Sequence, residues 1–250
     1  MKYIFFTILL LCTSICKSQD FKYEVDANLN IIFALPKYSP KTTTSVSPVK
    51  FLHPLNDQIS LKFKLLLNQK NKIGFNISYG DYGYGYLISE PPSAASASVI
   101  GGGTNTFCNI LKVGLLYQNT FIAHNHFMMS ADIAVFIGKP VFNKYDFDTS
   151  ANSFFREPYP LYKQYLKQPP YISASLVPLI NVGFTGSYKI KERYTINLGF
   201  TYQQGFKTIA IDYTSIEIPS ENRKALYSAK FNGTAIMANI GMSYRFGKKE

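Results

Sequence analysis

Asn239-Ile240-Gly241-Met242-Ser243-Tyr244-Arg245-Phe246, near the end of a 250-residue chain, alternates without a break. Ile240, Met242, Tyr244 and Phe246 are apolar or aromatic, while Asn239, Gly241, Ser243 and Arg245 are polar or small. Successive side chains of a strand point to opposite faces, so the octapeptide reads as a ribbon with one greasy and one wet face. Similar stretches recur upstream. In the first, Phe21, Tyr23, Val25, Ala27, Leu29, Ile31, Phe33 and Leu35 alternate with Lys22, Glu24, Asp26, Asn28 and Asn30. That is about fifteen residues against about 5–6 for an average strand, and a helix would scatter the same apolar groups around its axis. The others cover 59–67, 73–80, 107–117, 127–137, about 172–188, 194–203 and about 227–246, the last ending in the octapeptide.

Charged residues make up only 16% of the chain and aromatics also reach 16%, all Tyr and Phe because Trp is absent. Sparse charge with an aromatic excess fits strands that show one side to lipid. A mean hydropathy of -0.03 excludes a bundle of membrane helices, which needs repeated apolar runs of about 20 residues. The formal charge of +11 invites a nucleic-acid reading. However, the basic residues form no clustered stripe and the chain begins with an export signal, so scattered Lys at a phosphate-bearing membrane surface fits better.

That signal occupies residues 1–18: Lys2, an apolar run from Ile4 to Cys12, then small and polar residues up to Gln19. The run is too short to span a bilayer, and Cys16 and Ser18 supply the small residues expected before cleavage after Ser18. Acylation of Cys16 is the alternative, opposed by the bulky Ile15 before it. Cleavage removes Lys2 and Lys17, lowers the formal charge from +11 to +9, and leaves Cys108 as the one cysteine of a domain spanning 19–250. A lone inward thiol is no disulfide framework.

The connections alternate in length. Residues 36–58, 89–104, 138–170 and a stretch centred on 219–224 are long, whereas Asn68–Lys72, a link through Asn119 and Thr120, and Lys189–Arg193 are short. Strands joined in that order, with both ends on the short-turn side, make an all-β, eight-stranded antiparallel up-and-down transmembrane β-barrel. A soluble barrel would turn its apolar faces inward and would not alternate its loops so strictly. Pro178 predicts a bulge or break in the sixth strand. Tyr82, Tyr84 and Tyr86, separated by Gly, read as an aromatic girdle at a membrane boundary, since their spacing matches no phosphate loop.

In pattern, though not through identical motifs, the whole mature chain resembles the small outer-membrane barrels of the OmpA/OmpX type. The closing octapeptide resembles the C-terminal signal by which such barrels are recognised for insertion. Asn239, Gly241, Tyr244 and Phe246 fit its spacing, and Gly247–Glu250 runs past the usual terminal aromatic. The resemblance implies the outer membrane of a Gram-negative bacterium, with short turns in the periplasm and long loops outside. The partners expected are outer-membrane lipid and lipopolysaccharide, the barrel-assembly machinery during biogenesis, and an extracellular protein or surface ligand.

Eight strands leave an interior filled by side chains. Lys22, Glu24, Asp26, Lys62, Lys64, Lys112, Asp132 and Arg245 fall at inward positions. Counting from the turns sets Asp26 level with Lys64, and Lys112 level with Asp132. Cross-strand ion pairs are expected, because an unpaired charge in such a space is expensive. A narrow conducting path is the alternative. For catalysis, His124, His126, Ser130 and Asp132 share one face of the fifth strand. Yet His126 and Ser130 lie about 13 Å apart at 3.3 Å per residue, against the ~3 Å that proton transfer requires. His124-Asn125-His126 has no evident third metal ligand, and no cofactor is expected.

Two features mark the long loops. Tyr159, Tyr162 and Tyr165, with Lys163 and Lys167 between them, predict a short amphipathic helix facing the interface and lipopolysaccharide phosphates; the alternative is a loop packed over the barrel mouth. Thr208–Tyr213 opposite Tyr227–Phe231 predicts a protruding hairpin whose open edge suits another protein's strand. The reading is a non-enzymatic barrel with a salt-bridged interior, acting through its loops in envelope integrity, adhesion or surface interaction. The alternatives are a lipid-modifying enzyme of acyltransferase or deacylase type, or a narrow channel.

Overall fold

The computed structural model describes residues 22–40, 49–52, 56–68, 70–88, 102–141, 163–166, 171–172, 175–191, 193–218 and 223–247. The signal segment 1–18 lies outside them, as do Tyr159, Tyr162 and Lys167. In chain order the strands are β1 (Lys22–Ala34), β2 (Lys37–Pro40), β3 (Val49–Leu52), β4 (Asn56–Leu66), β5 (Asn71–Ile88), β6 (Gly102–His124), β7 (Phe127–Val141), β8 (Lys163–Leu166), β9 (Tyr171–Ile172), β10 (Val177–Lys189), β11 (Tyr194–Gly205), β12 (Ala210–Ile218), β13 (Arg223–Phe231) and β14 (Ala235–Phe246).

The order β4-β1-β14-β11-β10-β7-β6 is antiparallel throughout, and β5 pairs with both β4 and β6, so eight strands form a closed barrel. The last strand meets the first along its whole length, from Tyr23 opposite Phe246 to Ala34 opposite Ala235. No edge is left on the wall, so every ladder group of a strand crossing hydrocarbon has a partner.

The faces are those the alternation requires. Phe63 is 37% exposed, Val113 50%, Ile133 44% and Leu198 60%. On the other face Glu24, Asp26, Lys64 and Lys112 are buried. An apolar belt of this extent suits hydrocarbon and not water. On β11 it runs from Tyr194 to Tyr202, about 26 Å along the strand and about 20 Å in height once tilted by about 40°. Aromatic pairs mark its short-turn rim: Tyr23 stacks on Phe246 at 5.5 Å and Tyr194 tilts against Tyr244 at 5.1 Å.

At the long-connection end the wall continues as a second sheet. β12 and β13 extend β11 and β14 beyond breaks at 206–209 and 232–234. The hairpin's edges are not open, as the sequence suggests, because β2 pairs with β13 and both β8 and β9 pair with β12. Here the expected helix around Lys163 and Tyr165 gives way to strand β8, since the unpaired edge of β12 offers four residues a ladder that a single helical turn cannot match.

Three local expectations change. The fourth strand does not stop near Asn119 and Thr120; β6 runs on to His124, with a shift of register at Phe121 and the turn at Asn125-His126. Asn125 takes φ 45°, a left-handed conformation that Asn tolerates. His124, at the end of β6, and His126, in the turn, are therefore exposed and not on the inner face. Pro178 causes no bulge, because pairing with β7 begins at Val177 and keeps regular register through it. Tyr82 is not a girdle residue: β5 carries it into the lumen, where it is fully buried.

Candidate functional site

Among the described residues the buried charged groups Glu24, Asp26, Lys64, Lys72 and Lys112 all lie in the lumen, which is layered. At the short-turn end Glu24 sits at the centre of an ionic knot. Its carboxylate accepts from Lys72 Nζ at 2.8 Å, Lys64 Nζ at 3.2 Å and Arg245 Nε at 2.7 Å. Lys64 also binds Asp26 at 2.5 Å and donates to Gln118 Oε1 at 2.9 Å. Charge-assisted bonds of this length are the strong kind. Lys72, which the sequence reading left in a turn, is in phase with the inward Gly74, Asn76 and Ser78, and that phase was the signal for it.

A polar floor continues around the wall. Ser187 donates to Asn197 and Asn197 to Ser243, Thr120 and Ser130 share a bond at 3.0 Å, and Thr185 donates to Asp132 Oδ2 at 2.6 Å. Above it lies a cavity of about 30 Å³, lined among others by Asn30, Lys62, Asn76, Asp132, Asn181 and Asn239, room for about one water or a few. Lys62 lines this space and forms no ion pair among the described residues, contrary to expectation. Its register partner Asp26 is claimed by Lys64.

Lys112 also departs from its predicted partner. It stands opposite Gly138, while Asp132 stands opposite Gln118, because the true turn lies further along the chain than the predicted one. Its ammonium is fully buried and donates to Gln58 Oε1 at 2.6 Å, Gln203 Oε1 at 2.6 Å and Tyr82 Oη at 2.7 Å. Three neutral oxygens satisfy its three protons, and the Phe136 ring lies 5.7 Å away. Gln203 passes the connection outward, donating to the carbonyl of Gly233 at 2.6 Å, between β13 and β14.

The long-connection end of the lumen is apolar. Ile32, Ile110, Leu179, Ile209, Phe231 and Met237 belong to one buried cluster there. The sequence reading missed this plug: Ile32 continues the wet face of β1 with an apolar residue, a change of polarity along one face that alternation alone does not interpret.

Of the remaining predicted positions, Asn239 lines the cavity and Gly241 lies beneath Asn28, whose side chain occupies the space a Cβ would need. Tyr244 and Phe246 face outward at the short-turn rim. Among the described residues, His, Ser and carboxylate do not converge: His126 Nδ1 lies 3.2 Å from the Lys189 carbonyl, whereas Ser130 and Asp132 bond elsewhere in the lumen.

No family model matches the sequence, and no curated protein matches it. Among solved structures, the outer membrane protein OprG of Pseudomonas aeruginosa is similar with a TM-score of 0.52 and 13% identity, over 92% of this chain and 98% of that one. The fold is that of a small outer-membrane β-barrel. The N-terminal barrel domain of OprF from the same organism gives a TM-score of 0.42 at 10% identity, over 90% of this chain and 97% of that one. Outer membrane protein W of E. coli gives 0.40 at 11%, over 92% and 100%. The barrel fold and its apolar belt fit the outer membrane of a Gram-negative bacterium.

Proposed function

We propose that this outer-membrane barrel is a non-enzymatic protein whose closed interior is a scaffold and whose outer sheet and loops do its work, in envelope integrity, adhesion or surface interaction. The observation that carries this reading is the filled lumen. The ionic knot, the polar floor, the Lys112 node and the apolar plug follow one another from the periplasmic to the outer end, and the cavity beside Lys62 and Asp132 among the described residues measures about 30 Å³. A second support is the sheet of β2, β8, β9, β12 and β13, which stiffens the outer end as a platform. Its partners are outer-membrane lipid and lipopolysaccharide and an extracellular protein or surface ligand; β8 with Lys163 and Tyr165 belongs to this sheet, and a surface-binding role for Tyr159, Tyr162, Lys163, Tyr165 and Lys167 is part of the same reading. During biogenesis the barrel-assembly machinery reads Asn239, Gly241, Tyr244 and Phe246. Purified protein in planar bilayers tests the scaffold reading, with no steady single-channel conductance expected; a stable conductance would establish a channel instead. Incubation with lipopolysaccharide followed by mass analysis is expected to leave its acyl chains unchanged, and a lost or transferred chain would establish an enzyme.

A further inference from the structure

On β4, β5 and β6 the outward apolar residues end at Ile59, Tyr79 and Leu111 and are followed by Asp57, Asp81 and Asn109, while Ile31 opposite Asp57 and Val141 opposite Asn109 remain apolar and exposed. Asp81 stands opposite Asn109 across β5 and β6. The β4–β5 register, Gln58 opposite Gly80, sets Asp57 opposite Asp81 when carried one residue further. The Asn56 amide still reaches the Gly83 carbonyl at 3.3 Å, so β4 stays beside β5 at this height. All three residues are in phase with the outward Ile59, Tyr79 and Leu111, and so share the outer face.

Two carboxylates directly opposite on neighbouring strands repel and destabilise the sheet. Neither Asp57 nor Asp81 has an ion pair or hydrogen bond among the described residues. Lys139 on β7 pairs with Leu111, one row below Asn109, and it too forms no ion pair among the described residues. Asn109 adds an uncharged oxygen beside the two carboxylates. It is only 8% exposed, and its Oδ1 is buried with no hydrogen-bond partner. A buried oxygen in that state calls for a water or an ion.

We propose that Asp57, Asp81 and the Asn109 side-chain oxygen form a binding site for a hard divalent cation, Ca²⁺ by preference, on the outer rim of the barrel. The donors are all oxygens and two of them are charged, the set that Ca²⁺ takes in flexible geometry. Carboxylates can each bind through one or both oxygens, and water or phosphate oxygens of the surrounding lipid complete the shell. A bound cation converts the repulsion between β4 and β5 into a bridge that also reaches β6. The site is independent of whether the lumen conducts.

The test uses full-length folded barrel in a phosphate-free detergent, stripped with a chelator and titrated calorimetrically with Ca²⁺. Tb³⁺ luminescence sensitised by nearby tyrosine provides a second readout. One ion per chain is expected, with a Kd between about 10⁻⁵ and 10⁻³ M. Asp57→Asn and Asp81→Asn should each weaken binding at least about tenfold, one lost charge–ligand contact being worth that much or more. Asn109→Ala should weaken it and Asn109→Asp should restore or tighten it, which a merely structural role for Asn109 would not produce. The heat-dependent shift in gel mobility confirms that each variant is folded. Absence of saturable binding up to about 10 mM, or unchanged affinity in the Asp57→Asn/Asp81→Asn double variant, overturns the proposal.

Discussion

Replacing Glu24 with Gln tests the ionic knot. The side chain keeps its shape and one acceptor, but the charge that faces Lys64, Lys72 and Arg245 disappears. The three cations do not suffer equally. Lys64 retains Asp26 and Gln118, and Arg245 is 23% exposed, so water can relieve it in part. Lys72 is 7% exposed and Glu24 is its one ion-pair partner among the described residues, so it bears most of the loss. Breaking a buried pair by removing one member costs about 3–5 kcal/mol. With two of three partners partly compensated, about 3 kcal/mol is expected, roughly a hundredfold in the unfolding equilibrium. Denaturant titration in lipid vesicles, with folded and unfolded chains separated by gel mobility, measures it. Adding Lys72→Met to Glu24→Gln should recover about 1–2 kcal/mol, because the stranded charge is gone. A Glu24→Gln loss below about 1 kcal/mol, or a double variant no better than the single, would refute the reasoning.

Lys112→Met should behave differently from Glu24→Gln. Two of its acceptors, Gln58 Oε1 and Gln203 Oε1, lie 3.1 Å and 3.3 Å from the Tyr82 hydroxyl, whose single proton can serve one of them. The same titration should therefore show a loss of about 1–3 kcal/mol, the cost of one buried acceptor left without a donor, and a loss above about 3 kcal/mol would show that the ammonium is a structural necessity. Leu198→Arg, at a position 60% exposed on the belt, should cost about 2–4 kcal/mol if that face meets the hydrocarbon midplane. In detergent its folded fraction should fall less than in bilayers. Gly241→Ala should lower the folded fraction on gels by about 1–3 kcal/mol equivalent, since a methyl there meets the Asn28 side chain and the Ala27 carbonyl.

Which parts of this were readable from the chain follows from the range of each signal. Period-2 alternation is local, so the strands and their two faces are legible in residues such as Phe63 beside Lys64 or Ile133 beside Asp132. Glu24, Asp26, Lys64 and Arg245 share an end of the lumen because the first and last strands begin and end at the same rim, and their grouping was predictable too. Pairing across a hairpin depends on the turn. Asn119 and Thr120 look like one, yet two consecutive apolar residues after them, Phe121 and Ile122, both end up exposed as the register shifts. That displacement separates Lys112 from Asp132. Nor could alternation distinguish an interior that stays polar from one that turns apolar at Ile32 and Ile110. The capture of Lys163–Leu166 by β12 depends on a sheet edge built from residues about fifty positions away.

Glu24 belongs to the first strand and Arg245 to the last, 221 residues apart in sequence, and they touch only when the cylinder shuts. Before that, Glu24 already has Lys64 and Lys72 beside it, whereas Arg245 on the last strand has no carboxylate from this knot and must keep its water. Closing the circle is what brings the guanidinium to its acid, so this one contact belongs to the finished cylinder and to no shorter piece of its wall.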